Sequence, residues 1–272
     1  LVVPSVDYTK GTVAEAIAAG AGKNYEVAAT VVAMHTQGIL IGDASGVMLA
    51  FLGEAPAVAV NDAVTVKGTT ELRNGVIQFG KEGLSVAKTG TGSYNTPAPE
   101  VMDGTAVTAY IATALENKAV YKYVKYNGEF TVSGNYYNVV IAGTTTKGSV
   151  AYGKSEWASF NGKPVTVEGW LLGGTANYLQ TMATSVTVDS STPIVKISAP
   201  QQFAATSPVA QTLNYTVTNT TASAVTFAIE GTNADKFSLG AKTDNTIVVS
   251  AKGNNTDKTA YTANLVAKVA GA

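Results

Sequence analysis

The feature that most constrains this chain is an internal repeat. Residues 42–51 align with residues 143–152, and the same offset of 101 positions brings 63–68 onto 164–169 without a gap. An offset shared by two separate blocks indicates two copies of one structural unit. We therefore expect two similar domains in tandem, with the third and fourth strands of each copy in the same register.

A short helix is predicted before each copy. In the first copy Thr12 and Glu15 have the spacing of a capping box. In the second copy Val107, Ile111 and Leu115 recur at intervals of four residues, which is typical of one helix face. Each copy is therefore predicted to be one small helix followed by a small barrel.

Five short strands are predicted in the first copy, because apolar runs and alternating segments are bounded there by turn residues. These strands cover residues 25–34, 38–41, 47–52, 62–73 and 76–80. Asp43 is expected to stabilise the turn before the third strand and Asp62 the turn before the fourth, while Asn74-Gly75 is a strong two-residue hairpin turn. Five antiparallel strands with a longer connection after the third match the OB-fold.

A family resemblance accompanies this pattern. Residues 38–48 followed by 61–68 resemble the OB-fold domains of the nucleic-acid-binding type, which also occur in envelope lipoproteins of gut bacteria. The resemblance covers about two thirds of the chain when both copies are counted, and its motifs specify a fold better than a ligand. The second copy departs from the pattern at Thr144 and Lys147, where the first has an aspartate and a glycine.

The last segment has a different pattern. Short stretches alternate apolar and polar residues between Asn, Gly, Asp and Thr turns, which is typical of a β-sandwich. These stretches are residues 213–218, 224–229, 246–251 and 261–267. The run 231–239, followed by 261–265, resembles the Ig-like and BACON-type accessory domains of secreted bacterial surface proteins. That resemblance implies a spacer or an adhesive module.

Two short polar stretches that contain proline, residues 95–99 and 190–193, are typical of linkers. The chain is therefore predicted to be all-β with two small helices: two consecutive OB-type five-stranded barrels followed by an Ig-like β-sandwich. The expected domains are residues 1–96, 97–191 and 192–272.

Charge and composition restrict the partners. Only 14% of residues are charged and the formal net charge is −1, so no strong field is available to attract nucleic acid or an anionic membrane. The chain has no cysteine and begins at Leu1 without an initiating Met. From the latter we expect a processed lipoprotein of the cell envelope, periplasm or cell surface, anchored to the outer membrane only through a lipid that is lost with the leader.

The sequence offers little catalytic chemistry. His35 is the only histidine, so a His-based triad or a zinc site has no second imidazole. It is expected in an exposed loop between the first two strands, or else as a ligand contact. Gly20 to Lys23 lacks the spacing of a phosphate loop, and Gly173-Gly174 is expected to be a turn. We predict no enzyme activity, no catalytic residue, no metal site and no cofactor.

Aromatic residues are concentrated in the second copy, so that barrel is the one expected to bind. Tyr152 and Phe160 are expected in its core. The candidate ligand-binding residues are Tyr136, Tyr137, Trp170, Tyr178 and His35. Trp170 shares a strand face with polar neighbours, so it either stacks on a ligand or packs against the helix or a neighbouring domain.

Three functions remain open at this level. The first is non-catalytic extracytoplasmic binding or adhesion through the second barrel, with an oligosaccharide or a protein as the ligand, because aromatic platforms with little charge suit neutral partners. The second is single-stranded nucleic-acid binding, which OB-folds often perform but which calls for a basic groove. The third is a structural surface spacer without a ligand.

Overall fold

The computed structural model describes residues 6–189, 195–203, 211–219, 224–243, 246–252 and 260–269. The chain forms two compact units, Leu1–Asp189 and Ser190–Ala272. The described residues are mostly in strands, with two short α-helices and two 3₁₀ turns, so the all-β class is confirmed. No helix in these ranges is long and apolar enough to cross a membrane.

The first barrel begins with a short strand and a helix. Its elements are β1 (Thr9–Gly11), α1 (Val13–Ala18), β2 (Asn24–His35), β3 (Gly38–Asp43), β4 (Gly46–Phe51), β5 (Asp62–Arg73), β6 (Val76–Phe79) and β7 (Ser85–Thr91). Strands pair in the ring β2-β3-β4-β6-β5, and β5 returns to β2. The pair β4–β6 is parallel, while the other pairs of the ring are antiparallel. This closed ring is the OB-type barrel that the strand count predicts.

The second barrel repeats this topology. Its elements are β8 (Glu100–Val101), α2 (Gly104–Leu115), β9 (Tyr123–Ser133), β10 (Tyr136–Val140), β11 (Lys147–Val150), a 3₁₀ helix (Ser155–Phe160), β12 (Pro164–Gly174) and β13 (Tyr178–Val188). The ring is β9-β10-β11-β13-β12, closed by the β9–β12 pair. In both copies a short leading strand pairs in parallel with the first barrel strand. The repeat therefore includes this leading strand as well as the helix and the barrel.

Aspartates stabilise the first barrel where the turns predict them. The Asp43 carboxylate accepts hydrogen bonds from the backbone N–H groups of Ser45 (2.7 Å) and Val13 (2.8 Å), so it holds the β3–β4 turn and the start of α1 together. Thr12 and Glu15 form the predicted capping box of that helix. Asp62 accepts from the Ala59 N–H at 2.9 Å, which stabilises the turn before β5.

The register of the third strand differs between the copies, contrary to our prediction. Met48 of β4 lies in the core of the first barrel, but the residue 101 positions later, Ser149, faces outward, and Val150 faces the second core instead. The reason is the preceding connection. A tight turn joins β3 to β4, whereas six residues, 141–146, separate β10 from β11. Turn length sets register, so the longer loop allows a shift of one residue.

The two barrels share an apolar cluster. It contains side chains from the outer side of the first barrel and from β12 and β13 of the second. Its buried members are Ala33, Leu40, Val47, Leu49, Trp170, Leu172 and Met182. The outer side of β3 and β4 is therefore covered by the second barrel and is not free to bind a ligand.

A hairpin turn completes the contact between the barrels. Asn74 and Gly75 both have positive φ, as a two-residue hairpin turn requires. The Asn74 carbonyl accepts a hydrogen bond from the Gly174 N–H at 2.7 Å, and the Gly75 carbonyl accepts from the Ala119 N–H at 3.1 Å. Gly173 and Gly174, expected in a turn of their own, instead end β12 against this hairpin.

In its described residues, the second compact unit contains two sheets. Its strands are β14 (Val195–Ile197), β15 (Thr212–Asn219), β16 (Val225–Glu230), β17 (Phe237–Thr243), β18 (Thr246–Ala251) and β19 (Asn264–Val269). The sheet orders β14-β15-β18-β17 and β16-β19 correspond to the A-B-E-D and C-F strands of an Ig-like sandwich.

Candidate functional site

His35 is not the exposed loop residue that the sequence suggests. It is the last residue of β2, and only 8% of its surface is exposed. Its Nδ1 accepts a hydrogen bond from the Gln37 N–H at 3.1 Å, so the ring is neutral with its proton on Nε2. Burial lowers the pKa of His35 to about 4.

The ring that covers His35 comes from the second barrel. The His35 and Tyr152 ring centroids are 4.6 Å apart, and Phe51 lies 6.2 Å from the same tyrosine. Tyr152 has a φ of 48° and is 46% exposed, so the expectation that it fills the core is wrong. Phe160, by contrast, packs partly buried against the second core, as expected.

Trp170 lies in the contact between the barrels. It is 3% exposed, and its ring centroid lies 5.2 Å from that of Tyr123 and 6.2 Å from that of Tyr94. The packing alternative is thus confirmed, and no face of this ring is open to a ligand. Tyr137 also points inward, with its ring against Phe130 at 5.6 Å.

Tyr136 and Tyr178 remain as exposed candidates, at 74% and 39% exposure. Tyr136 begins β10 and Tyr178 begins β13, and β11 lies between these strands in the ring. Because side chains alternate between the two faces of a strand, both tyrosines belong to the outer surface of the second barrel. We call this surface the outer face; its members are Tyr136, Asn138, Val140, Lys147, Ser149, Tyr178 and Gln180.

Strand register aligns the members of the outer face in rows. Asn138 pairs with Ser149, and Ser149 pairs with Gln180. In the next row Val140 pairs with Lys147, and Lys147 with Tyr178. Neighbouring strands lie about 4.8 Å apart, so each row is a continuous strip across three strands. The two tyrosines lie at opposite corners, about 16 Å apart by strand rise and spacing.

Three polar side chains of the outer face are not engaged by any described residue. In the described part of the chain, the side chains of Asn138, Ser149 and Gln180 make no hydrogen bond, and each is partly exposed. The opposite side of the same barrel differs. There Thr166 donates to Asn127 at 2.9 Å and Tyr123 bonds Thr184 at 3.0 Å. The outer face therefore presents free donors and acceptors, whereas several polar groups on the other side bond to one another.

A cleft of about 690 Å³ borders the second barrel at the helix α2. Ile111 and Leu115 form its apolar side, and residues 143–146 form the other. Its threonines bond within the protein: Thr108 bonds Thr144 at 3.2 Å, and Thr146 donates to the Ala176 carbonyl at 3.2 Å. The cleft thus offers fewer free polar groups than the outer face.

The position of His35 gives a test by pH. The pKa of His35 is depressed in the folded state, so its contribution to stability is complete above pH 6.5 and is lost as the pH falls toward 4. We expect a loss of about 2 kcal/mol in the free energy of unfolding between pH 7 and pH 5. No other histidine titrates in this range. Urea unfolding at several pH values measures the effect.

A variant and a direct titration serve as controls for this result. His35→Gln should show an almost flat profile between pH 7 and pH 5, because it removes the titrating group. An NMR titration of the single imidazole should give a pKa well below 6.5. A value near 6.5 would show that the ring is solvated and would contradict the buried position.

Sequence reasoning found the two corner tyrosines but missed the rows between them. Asn138, Ser149 and Gln180 stand on three strands whose order in the ring is not their order in the sequence. The alternation of side chains within residues 136–140 and 147–150 gives the outward positions, and this was the signal from which the rows could have been found.

The sequence matches no protein-family model and no curated protein at a significant level. In the described ranges, no group of three or more His, Asp or Glu side chains is placed to hold a metal ion.

Proposed function

We propose that this protein is a non-catalytic, extracytoplasmic binding protein whose outer face on the second barrel takes an oligosaccharide. One observation carries the proposal: unengaged amide and hydroxyl side chains form a row between two exposed tyrosines. Sugars offer hydroxyl groups to such donors and acceptors, and their C–H faces pack on aromatic rings.

The contact between the barrels supports placing the ligand site on the second barrel. The matching outer side of β3 and β4 is covered by Trp170 and its neighbours. In the second barrel the corresponding strands are β10 and β11. Only these are open on the side that OB-folds use for binding.

Charge argues for a sugar chain over a nucleic acid. Lys147 is the one charged member of the outer face, whereas a single-stranded nucleic acid needs a basic groove along its backbone. Glu129, beside Val140 on β9, is the one carboxylate in the rows of this face, whereas acid–base hydrolysis of a glycoside needs two carboxyl groups. These features support binding without catalysis. The Ig-like unit, which resembles accessory domains of secreted bacterial proteins, supports an extracytoplasmic location.

The proposal is tested by a glycan array on the full chain, followed by calorimetry with each sugar that binds. Tyr136→Ala and Tyr178→Ala should each weaken binding roughly tenfold, a loss of about 1.4 kcal/mol. Both residues are exposed, so the melting temperature should stay nearly constant. Tyr8→Ala, a tyrosine of the first barrel, is the matched control and should bind as the unmodified protein does.

An oligothymidylate titration tests the alternative that this protein binds single-stranded nucleic acid. Submicromolar affinity that falls steeply as salt rises would show phosphate contacts and would favour nucleic acid instead. Absence of any sugar binding on the array, or sugar binding unchanged in both tyrosine variants, would overturn the proposed site.

A further inference from the structure

Lys147 has a distinctive position in the outer face. It lies on β11, the middle strand, in the row between Val140 and Tyr178. Its side chain is exposed, and the other six members of the face are uncharged. A ligand on this face therefore meets a single positive charge in a fixed place.

This ammonium group has no partner among the described residues. Several other lysines are paired: Lys67 with Glu26 at 3.0 Å and Lys88 with Asp62 at 2.6 Å. In the part of the chain that the structure describes, the Lys147 side chain makes no ion pair and no hydrogen bond. The charge is therefore free to meet an anion.

The neighbour of Lys147 determines what kind of anion fits. Tyr178 is its direct partner on the adjacent strand, about 4.8 Å away by strand spacing. A sugar ring packed on the Tyr178 ring can direct its exocyclic group toward β11, where Lys147 is the cross-strand partner of Tyr178. A carboxylate at that exocyclic carbon, as in a uronic acid, can accept a charge-assisted hydrogen bond from Nζ of Lys147. The free amide and hydroxyl groups of Asn138, Ser149 and Gln180 lie one row further along for the next sugars.

We infer that the outer face binds an acidic oligosaccharide, in which the sugar on Tyr178 presents a carboxylate to Lys147. This inference rests on the proposed function and adds the class of sugar. A single cation matches one carboxylate at one subsite and does not match a chain of phosphates.

The test uses matched pairs of probes on the full chain. Each pair is a uronic-acid-containing tetrasaccharide and the neutral form made by reducing its carboxyl groups to alcohols. We expect at least one acidic member to bind tenfold or more tightly than its reduced form. Lys147→Met should abolish that preference, and Lys147→Arg should keep it. Lys23→Met removes an exposed, unpaired lysine of the first barrel and should leave the preference unchanged.

The outcomes separate this inference from the proposed function. Equal or better binding of the reduced sugars, or a preference that survives Lys147→Met, would overturn the acidic ligand while leaving sugar binding in place. If no acidic or neutral sugar binds at all, the proposed function fails and this inference fails with it. All variants change exposed residues, so an unchanged melting temperature confirms that they are folded.

Discussion

Replacing Trp170 with alanine should lower the free energy of unfolding of the two-barrel unit by about 3–5 kcal/mol. The ring is buried in the cluster between the barrels, which also contains Leu40, Val47 and Leu49 of the first barrel. Its removal leaves a cavity that two rigid barrels cannot close easily. For a unit of this size the melting temperature should fall by roughly 10 °C.

Fluorescence can follow this transition in the full chain. The sequence has two tryptophans, and the other, Trp157, lies buried in the second barrel and still reports unfolding in the variant. Tyr136→Ala removes an exposed ring and should change stability by less than about 0.5 kcal/mol. A Trp170→Ala protein as stable as Tyr136→Ala would show that the barrels do not depend on this contact.

Turn residues and side-chain alternation were sufficient to predict the five barrel strands of the first copy from the sequence. The predicted fourth strand, 62–73, has the bounds of β5, and the first begins and ends within one residue of β2. Both are bounded by turn residues, and alternation within them is regular. The capping box at Thr12 and the hairpin turn at Asn74 were predictable for the same reason, since each depends on residues close in sequence.

The faces that touch another barrel were not predictable in this way. The alternation of side chains along β12 places Trp170 and Val167 on opposite faces of the strand. It does not show that another barrel covers the outer side. His35 was misplaced for the same reason, because its cover, Tyr152, comes from the other copy. A repeat shows that two barrels exist and does not show how they pack.

The candidate site depends on register, which a single sequence constrains weakly. The alignment at offset 101 placed Tyr152 over Phe51 and so suggested a core position. The longer loop before β11 shifts that strand by one residue, which turns Lys147 and Ser149 outward. The row that joins Asn138 to Gln180 follows from this shift.

Gly173→Ala should lower the free energy of unfolding by about 3–5 kcal/mol, because it strains the contact between the two barrels. Gly173 has a φ of 82°, a region that other residues adopt only with strain. A Cβ atom there would also overlap with the Asn74 carbonyl oxygen. Because that oxygen belongs to the backbone of a tight turn, it cannot move without moving the first barrel. Thermal unfolding of the full chain, followed by tryptophan fluorescence, measures the loss.

Gly134→Ala separates backbone strain from the steric clash. Gly134 has a φ of 58°, so alanine is strained there as well, but no atom lies within 4 Å of the added Cβ. Its cost should stay near 1 kcal/mol, the usual penalty for a left-handed alanine. The difference between the two variants then measures the close approach of β12 to the Asn74 turn. Equal losses would mean that this approach is loose and that backbone strain accounts for the whole cost of Gly173→Ala.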